Sequence, residues 1–81
     1  MGRWNELSDA FSKVVERHRQ AQGLSKTELA SRAGLHQTYV GLLEKGDRSP
    51  SVDTAQAIAK GLGLRLSDLI KEAEGSLSGE A

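Results

Sequence analysis

Side chains able to attack, protonate or ligate are sparse in this 81-residue sequence. The two histidines, His18 and His36, fall on different predicted helices, and neither has a cysteine or carboxylate at metal-ligand spacing. Ser25, Ser49, Ser51 and Ser67 read as helix caps or loop residues with no histidine base near in sequence. No Gly-x-x-x-x-Gly-Lys-Ser/Thr phosphate loop occurs. Catalysis, a metal centre and a cofactor therefore have no residues to carry them; the chain reads as a non-enzyme with no evident small-molecule ligand. Polar recognition remains. Gln37 and Thr38 set an amide beside a hydroxyl, and Lys26, Lys45 and Arg48 supply positive charge. Such groups are useful only where rigid elements hold them.

Those elements are helices. A single proline and the lack of alternating apolar stretches leave strands unsupported. Leu7, Phe11, Val14, Val15 and His18 recur on one helical face, predicting a first helix from about Ser8 to Gln22 with Gly23 as its stop. Ser25-Lys26-Thr27-Glu28 is a capping box, in which serine and glutamate each satisfy a free backbone N–H at a helix start. It opens a short second helix with Leu29, Ala30 and Ala33 inward, ended by Gly34. A third helix runs from His36 or Gln37 to Lys45, with Val40 and Leu43 inward and Gly46 at its end. After a polar Asp47-Arg48-Ser49-Pro50 loop, Ser51 caps a fourth helix expected to bury Val52, Ala55, Ile58, Ala59 and Leu62. Gly63 closes it, and Ser67 with Asp68 opens a fifth carrying Leu69 and Ile70. Residues 1–7 read as an N-terminal extension, 8–74 as one domain and 75–81 as a frayed, flexible tail.

Two short helices joined by a tight Ala33-Gly34-Leu35 turn have helix-turn-helix spacing, in which the second helix enters the DNA major groove. A helical hairpin alone is common in small α domains. Here further blocks match. Gly23-Leu24-Ser25-Lys26-Thr27-Glu28-Leu29-Ala30, Ala33-Gly34-Leu35, Thr38-Tyr39-Val40, Leu43-Glu44-Lys45-Gly46, Pro50-Ser51 and Ile58-Ala59-Lys60-Gly61-Leu62-Gly63 resemble the Xre/Cro family of phage and bacterial repressors. The similarity covers about Phe11 to Ile70. The start of the third helix and the small size are most similar to the restriction–modification controller proteins of that family.

The resemblance implies an all-α fold, a compact five-helix lambda-repressor-like domain. It also implies roles. Gln37 and Thr38 lie where family members reach base edges; glutamine can bond bidentately to adenine, and threonine can donate, accept or offer a methyl to thymine. Leu42, one turn on, either touches a thymine methyl or packs at a half-exposed position. Gly41 replaces a side chain that commonly faces the groove, by close approach to DNA or by simple tolerance. Lys26, Tyr39, Lys45, Arg48 and Ser49 would hold phosphates, which position a protein without reading sequence. Arg19 and Glu44 correspond to an ion pair between the first and third helices; the alternative is two independent surface charges. Leu64, Leu66, Leu69 and Ile70 exceed a minimal core, so they either form a homodimer contact or complete the monomer.

Some residues depart from the family pattern. His18 sits where an aliphatic residue is usual and is expected to pack. Gly61 replaces a common alanine and should weaken the fourth helix. Asp47 among phosphate contacts would repel the DNA backbone unless it points away or pairs with Arg48. Zero net charge is also awkward for a DNA-binding protein. The charges are uneven, however: bases outnumber acids from Lys13 to Arg48, and acids prevail beyond. The start lacks an apolar signal core and no apolar run approaches a membrane span of ~20 residues. With no cysteine for disulfides, a cytoplasmic location is expected.

The resulting expectation is a DNA-binding transcriptional regulator acting as a homodimer on a (pseudo)palindromic double-stranded operator. The rival expectation is a protein-interaction module, an antitoxin or adaptor, built on the same fold.

Overall fold

Burial of one apolar stripe per helix organises the chain. The computed structural model describes residues 6–78, which form α1 (Glu6–Ala21), α2 (Lys26–Ala33), α3 (Gln37–Glu44), α4 (Val52–Gly61) and α5 (Leu66–Leu77). Among these residues there is no strand. Phe11, Val14 and Val15 of α1 meet Leu29 of α2, Val40 and Leu43 of α3, Ile58 of α4 and Leu69 of α5 in a single core. Helix α5 packs along α1, and α2 is held between α3 and α4. The helix-turn-helix pair is thus braced from behind, with one face of α3 left outward.

Local sequence explains the start of each of the middle helices. Ser25 Oγ accepts from Glu28 N–H at 3.0 Å while Glu28 Oε1 accepts from Ser25 N–H at 2.8 Å, completing the expected capping box. Ser51 Oγ accepts from Thr54 N–H at 3.1 Å at the start of α4. The cap of α3 is less usual: His36 Nδ1 accepts from Thr38 N–H at 3.1 Å.

Several boundaries and burials differ from expectation. Helix α1 starts at Glu6, so Glu6 and Leu7 belong to it rather than to an extension; residues 1–5 lie outside the described residues. Helix α5 continues through Gly75 to Leu77, where Ser78 Oγ donates to Gly75 O at 3.1 Å; the flexible stretch expected from 75 is helical there, and 79–81 lie outside the described residues. Val52 is 77% exposed rather than buried. It shares the inward stripe of α4, but at the first turn that stripe has run past the core.

Leu69 requires the opposite correction. It is 0% exposed and packs with Ala73 inside the monomer, so none of its surface is available to a partner subunit. Leu64, Leu66 and Ile70 are only half-buried against the core. His18 is not simply a packing residue either. Its Nε2 lies 2.9 and 3.1 Å from the two Glu72 oxygens, and Arg17 donates to Glu72 at 2.9 Å, pinning α5 to α1.

Candidate nucleic-acid interface

The turn between α2 and α3 is closed by backbone bonds that only one conformation permits. Leu35 N–H donates to Ala30 O at 2.8 Å and Gly34 N–H to Ser31 O at 3.2 Å, with Gly34 at φ 72°. A Cβ at that φ would be strained, which is why glycine stands there. At the far end of α3, Gly46 at φ 84° closes a similar motif, and Asp47 N–H donates to Leu42 O at 2.9 Å. Asp47 thus has a backbone role in ending α3, whatever its carboxylate does.

The orientation of α3 is fixed from behind by charge. Arg19 Nε donates to Glu44 Oε2 at 2.7 Å and Nη2 to Glu44 Oε1 at 3.0 Å, the bidentate geometry of strong arginine–carboxylate pairs. Arg19 Nη1 donates to Leu24 O at 2.8 Å. One guanidinium therefore joins the end of α1, the α1–α2 turn and the end of α3. The side chains are 10% and 3% exposed, so these are not two independent surface charges. The hydrogen bond to Glu44 raises the Arg19 pKa above its ordinary value against the opposing effect of burial.

Away from the buried Val40 and Leu43, the expected contact residues on and around α3 are accessible. Gln37, Thr38, Lys45 and Arg48 are exposed, as is Lys26 at the first position of α2. Gly41 and Leu42 are half-exposed, and a Cβ added at Gly41 would meet nothing within 4 Å. No internal packing demands glycine there. Tyr39 is half-buried against the core; burial pushes its phenol pKa up, while the Arg48 charge acts in the other direction, which places the two side chains within electrostatic reach. Ser49 is different: its hydroxyl lies 3.0 Å from that of Ser8 on α1, and it lines an apolar groove rather than joining this cation set.

Two contacts in this region were invisible in the sequence. Thr27 Oγ1 donates to Gln37 Oε1 at 2.9 Å, linking α2 to the first residue of α3. His36 caps α3 with a ring nitrogen. Neither follows a helical period: the first depends on how the two helices meet across the turn, and the second is a local cap from a residue two positions earlier. A histidine immediately before a predicted helix was the only available hint of the second. Among the described residues no group of three or more His, Cys, Asp or Glu side chains could hold a metal ion.

A second surface feature lies away from α3. Leu7, Phe11, Pro50, Val52, Leu66 and Ile70 line an open, mainly apolar groove of about 400 Å³.

Comparison with known proteins agrees with this geometry. The family model described as helix-turn-helix matches residues 15–69. The chain is 33% identical over 67 residues to control protein C.BamHI of Bacillus amyloliquefaciens, covering 82% of this chain and 83% of that protein. Among solved structures, the restriction-modification controller protein C.AhdI from Aeromonas hydrophila superposes with a TM-score of 0.73 at 32% identity, covering 76% of this chain and 94% of that one. C.Esp1396I bound to a 19 base pair DNA duplex superposes with a TM-score of 0.80 over 88% of this chain and 95% of that one; at 22% identity this likeness concerns the fold.

Proposed function

The chain belongs to the helix-turn-helix family, and from that premise we propose that it regulates transcription by binding a specific double-stranded DNA operator as a homodimer. The observation carrying this reading is the outward face of α3: Gln37 and Thr38 are exposed at its start while the Arg19–Glu44 pair locks its other end. A rigid helix with polar side chains at its leading end suits base edges in a major groove.

In this reading Gln37 and Thr38 read bases, Gly41 lets the backbone approach, and Leu42 offers an apolar contact. Lys26, Tyr39, Lys45 and Arg48 grip phosphates. Ser49, engaged with Ser8, is left out of that set. The relatives named control proteins support the transcriptional role. Cytoplasm is the matching compartment; among the described residues no helix is long and apolar enough to cross a membrane.

The homodimer contact we assign to the apolar groove of α1, α4 and α5, with Leu66 and Ile70 retained from the sequence expectation and Leu7 and Val52 added. Val52, exposed and part of the groove's lining, would supply apolar surface that two subunits could share across a two-fold axis. Two α3 helices would then address half-sites roughly 34 Å apart.

Selection of sites from random DNA, followed by footprinting, tests the whole reading. A two-fold symmetric site protected by two protomers is the expected result. No enriched site, together with tight binding to a protein partner through α3, would favour the antitoxin or adaptor role instead.

A further inference from the structure

The exposed start of α3 is asymmetric in hydrogen-bonding character, because two internal bonds occupy acceptor atoms there. Thr27 Oγ1 donates to Gln37 Oε1 at 2.9 Å, and His36 Nδ1 accepts from Thr38 N–H at 3.1 Å. A glutamine amide has one acceptor oxygen and two N–H donors, and a neutral imidazole accepting at Nδ1 carries its proton on Nε2. What these side chains keep for an external partner is therefore mainly donors: both hydrogens of Gln37 Nε2 and the Nε2–H of His36. Both residues are exposed.

The Thr27 hydroxyl is not needed to start α2, since Ser25 and Glu28 already complete that cap. It is free to set the Gln37 amide. Oε1 keeps a second lone pair, so the N6 amino group of adenine could still bond to it, but only on an oxygen already engaged. In the major groove guanine alone presents two adjacent acceptors, O6 and N7; adenine pairs an acceptor with a donor, and cytosine offers a donor.

We propose that the first turn of α3 reads guanine, with Thr27 as a positioning residue acting through Gln37 and His36 as a direct donor to a neighbouring acceptor. The inference rests on the base-reading role of Gln37 proposed above.

Selection from random DNA with the full chain tests it, comparing wild type with Gln37→Ala, Thr27→Ser, Thr27→Val and His36→Ser. The base pair whose discrimination is lost in Gln37→Ala is the one Gln37 controls. Wild type and Thr27→Ser should prefer guanine there. Thr27→Val, which frees Oε1, should move the guanine-to-adenine preference toward adenine by about tenfold, the scale of one bidentate contact. His36→Ser keeps a capping oxygen but lacks the outward N–H, and should lose several-fold preference at an adjacent base pair while melting like wild type.

Adenine preferred by wild type at that position, or a Thr27→Val preference unchanged from wild type, overturns the Thr27 role. An unaltered site for His36→Ser overturns the direct-donor role. If Gln37→Ala changes no position, the base-reading role itself fails, a distinct outcome that removes the inference with it. Should Thr27→Val not melt cooperatively, Thr27→Ala carries the same prediction.

Discussion

Gly61 brings α4 so close to α2 that a Cβ there would lie 3.2 Å from the backbone nitrogen of Ala33 and 3.1 Å from Leu29 Cδ1. By helix propensity alone this glycine is only a weak helix former. Its packing role is the larger one. Gly61→Ala gains up to about 1 kcal/mol of helix propensity but overpacks a site where Leu29 is fully buried and Ala33 presents backbone, a strain of about 1–3 kcal/mol. A net destabilisation of about 1 kcal/mol is expected in urea unfolding; a stabilised variant would show that α4 shifts freely.

The Arg19–Glu44 pair sets up a different test. Arg19→Met or Glu44→Gln leaves the other partner buried without its match and should destabilise by about 3–5 kcal/mol. Replacing both by apolar residues of similar volume should recover much of that loss. Chemical denaturation of the singles and the double separates an ion pair that orients α3 from one that merely holds the fold: DNA binding should remain impaired in the double even where stability returns.

Readers and clamps should also separate. Gln37→Ala and Thr38→Ala are expected to lose about 1–3 kcal/mol of discrimination at particular base pairs. Lys26→Ala and Arg48→Ala should weaken all sequences alike and reduce the salt slope by about 1 each. Titrations against a selected operator and its point variants, at several salt concentrations, would reveal whether the four behave as two classes. Identical behaviour would dissolve the distinction.

Charge placed in the groove tests the dimer. Val52→Glu and Ile70→Glu alter residues that are exposed or half-exposed, so the monomer should still fold. Light scattering should find wild type dimeric and both variants monomeric, with operator binding weakened in parallel. A dimer that survives both substitutions would place the contact elsewhere.

Acid should loosen α5. Burial pushes the Glu72 pKa up, but hydrogen bonds from His18 and Arg17 outweigh it and hold the carboxyl below its ordinary value of 4.5. A folded-state pKa depressed in this way contributes stability above the ordinary value and loses it as pH falls through the lower, folded one. Glu72→Gln should therefore flatten the decline in melting temperature below about pH 4.5 while lowering stability only slightly at neutral pH, since the group is largely solvated.

Much of this protein was legible residue by residue. The capping box at Ser25, the serine cap at Ser51, the glycine stops and the period of Phe11, Val14, Val15, Ile58 and Leu62 depend on neighbours a few positions away, so a one-dimensional pattern contains them. The paired helices around Gly34 are local in the same sense, and with them the outward placement of Gln37 and Thr38. Tertiary structure decided the rest. Whether Leu69 faced a partner or the core, whether Val52 was buried, and what Gly61 was for all turned on contacts between helices far apart in the chain. The same holds for Thr27 reaching Gln37, Ser49 turning to Ser8, and His18 finding Glu72. A helical period specifies which residues share a side; how far that side extends over its neighbour is set by crossing geometry, which no single helix encodes.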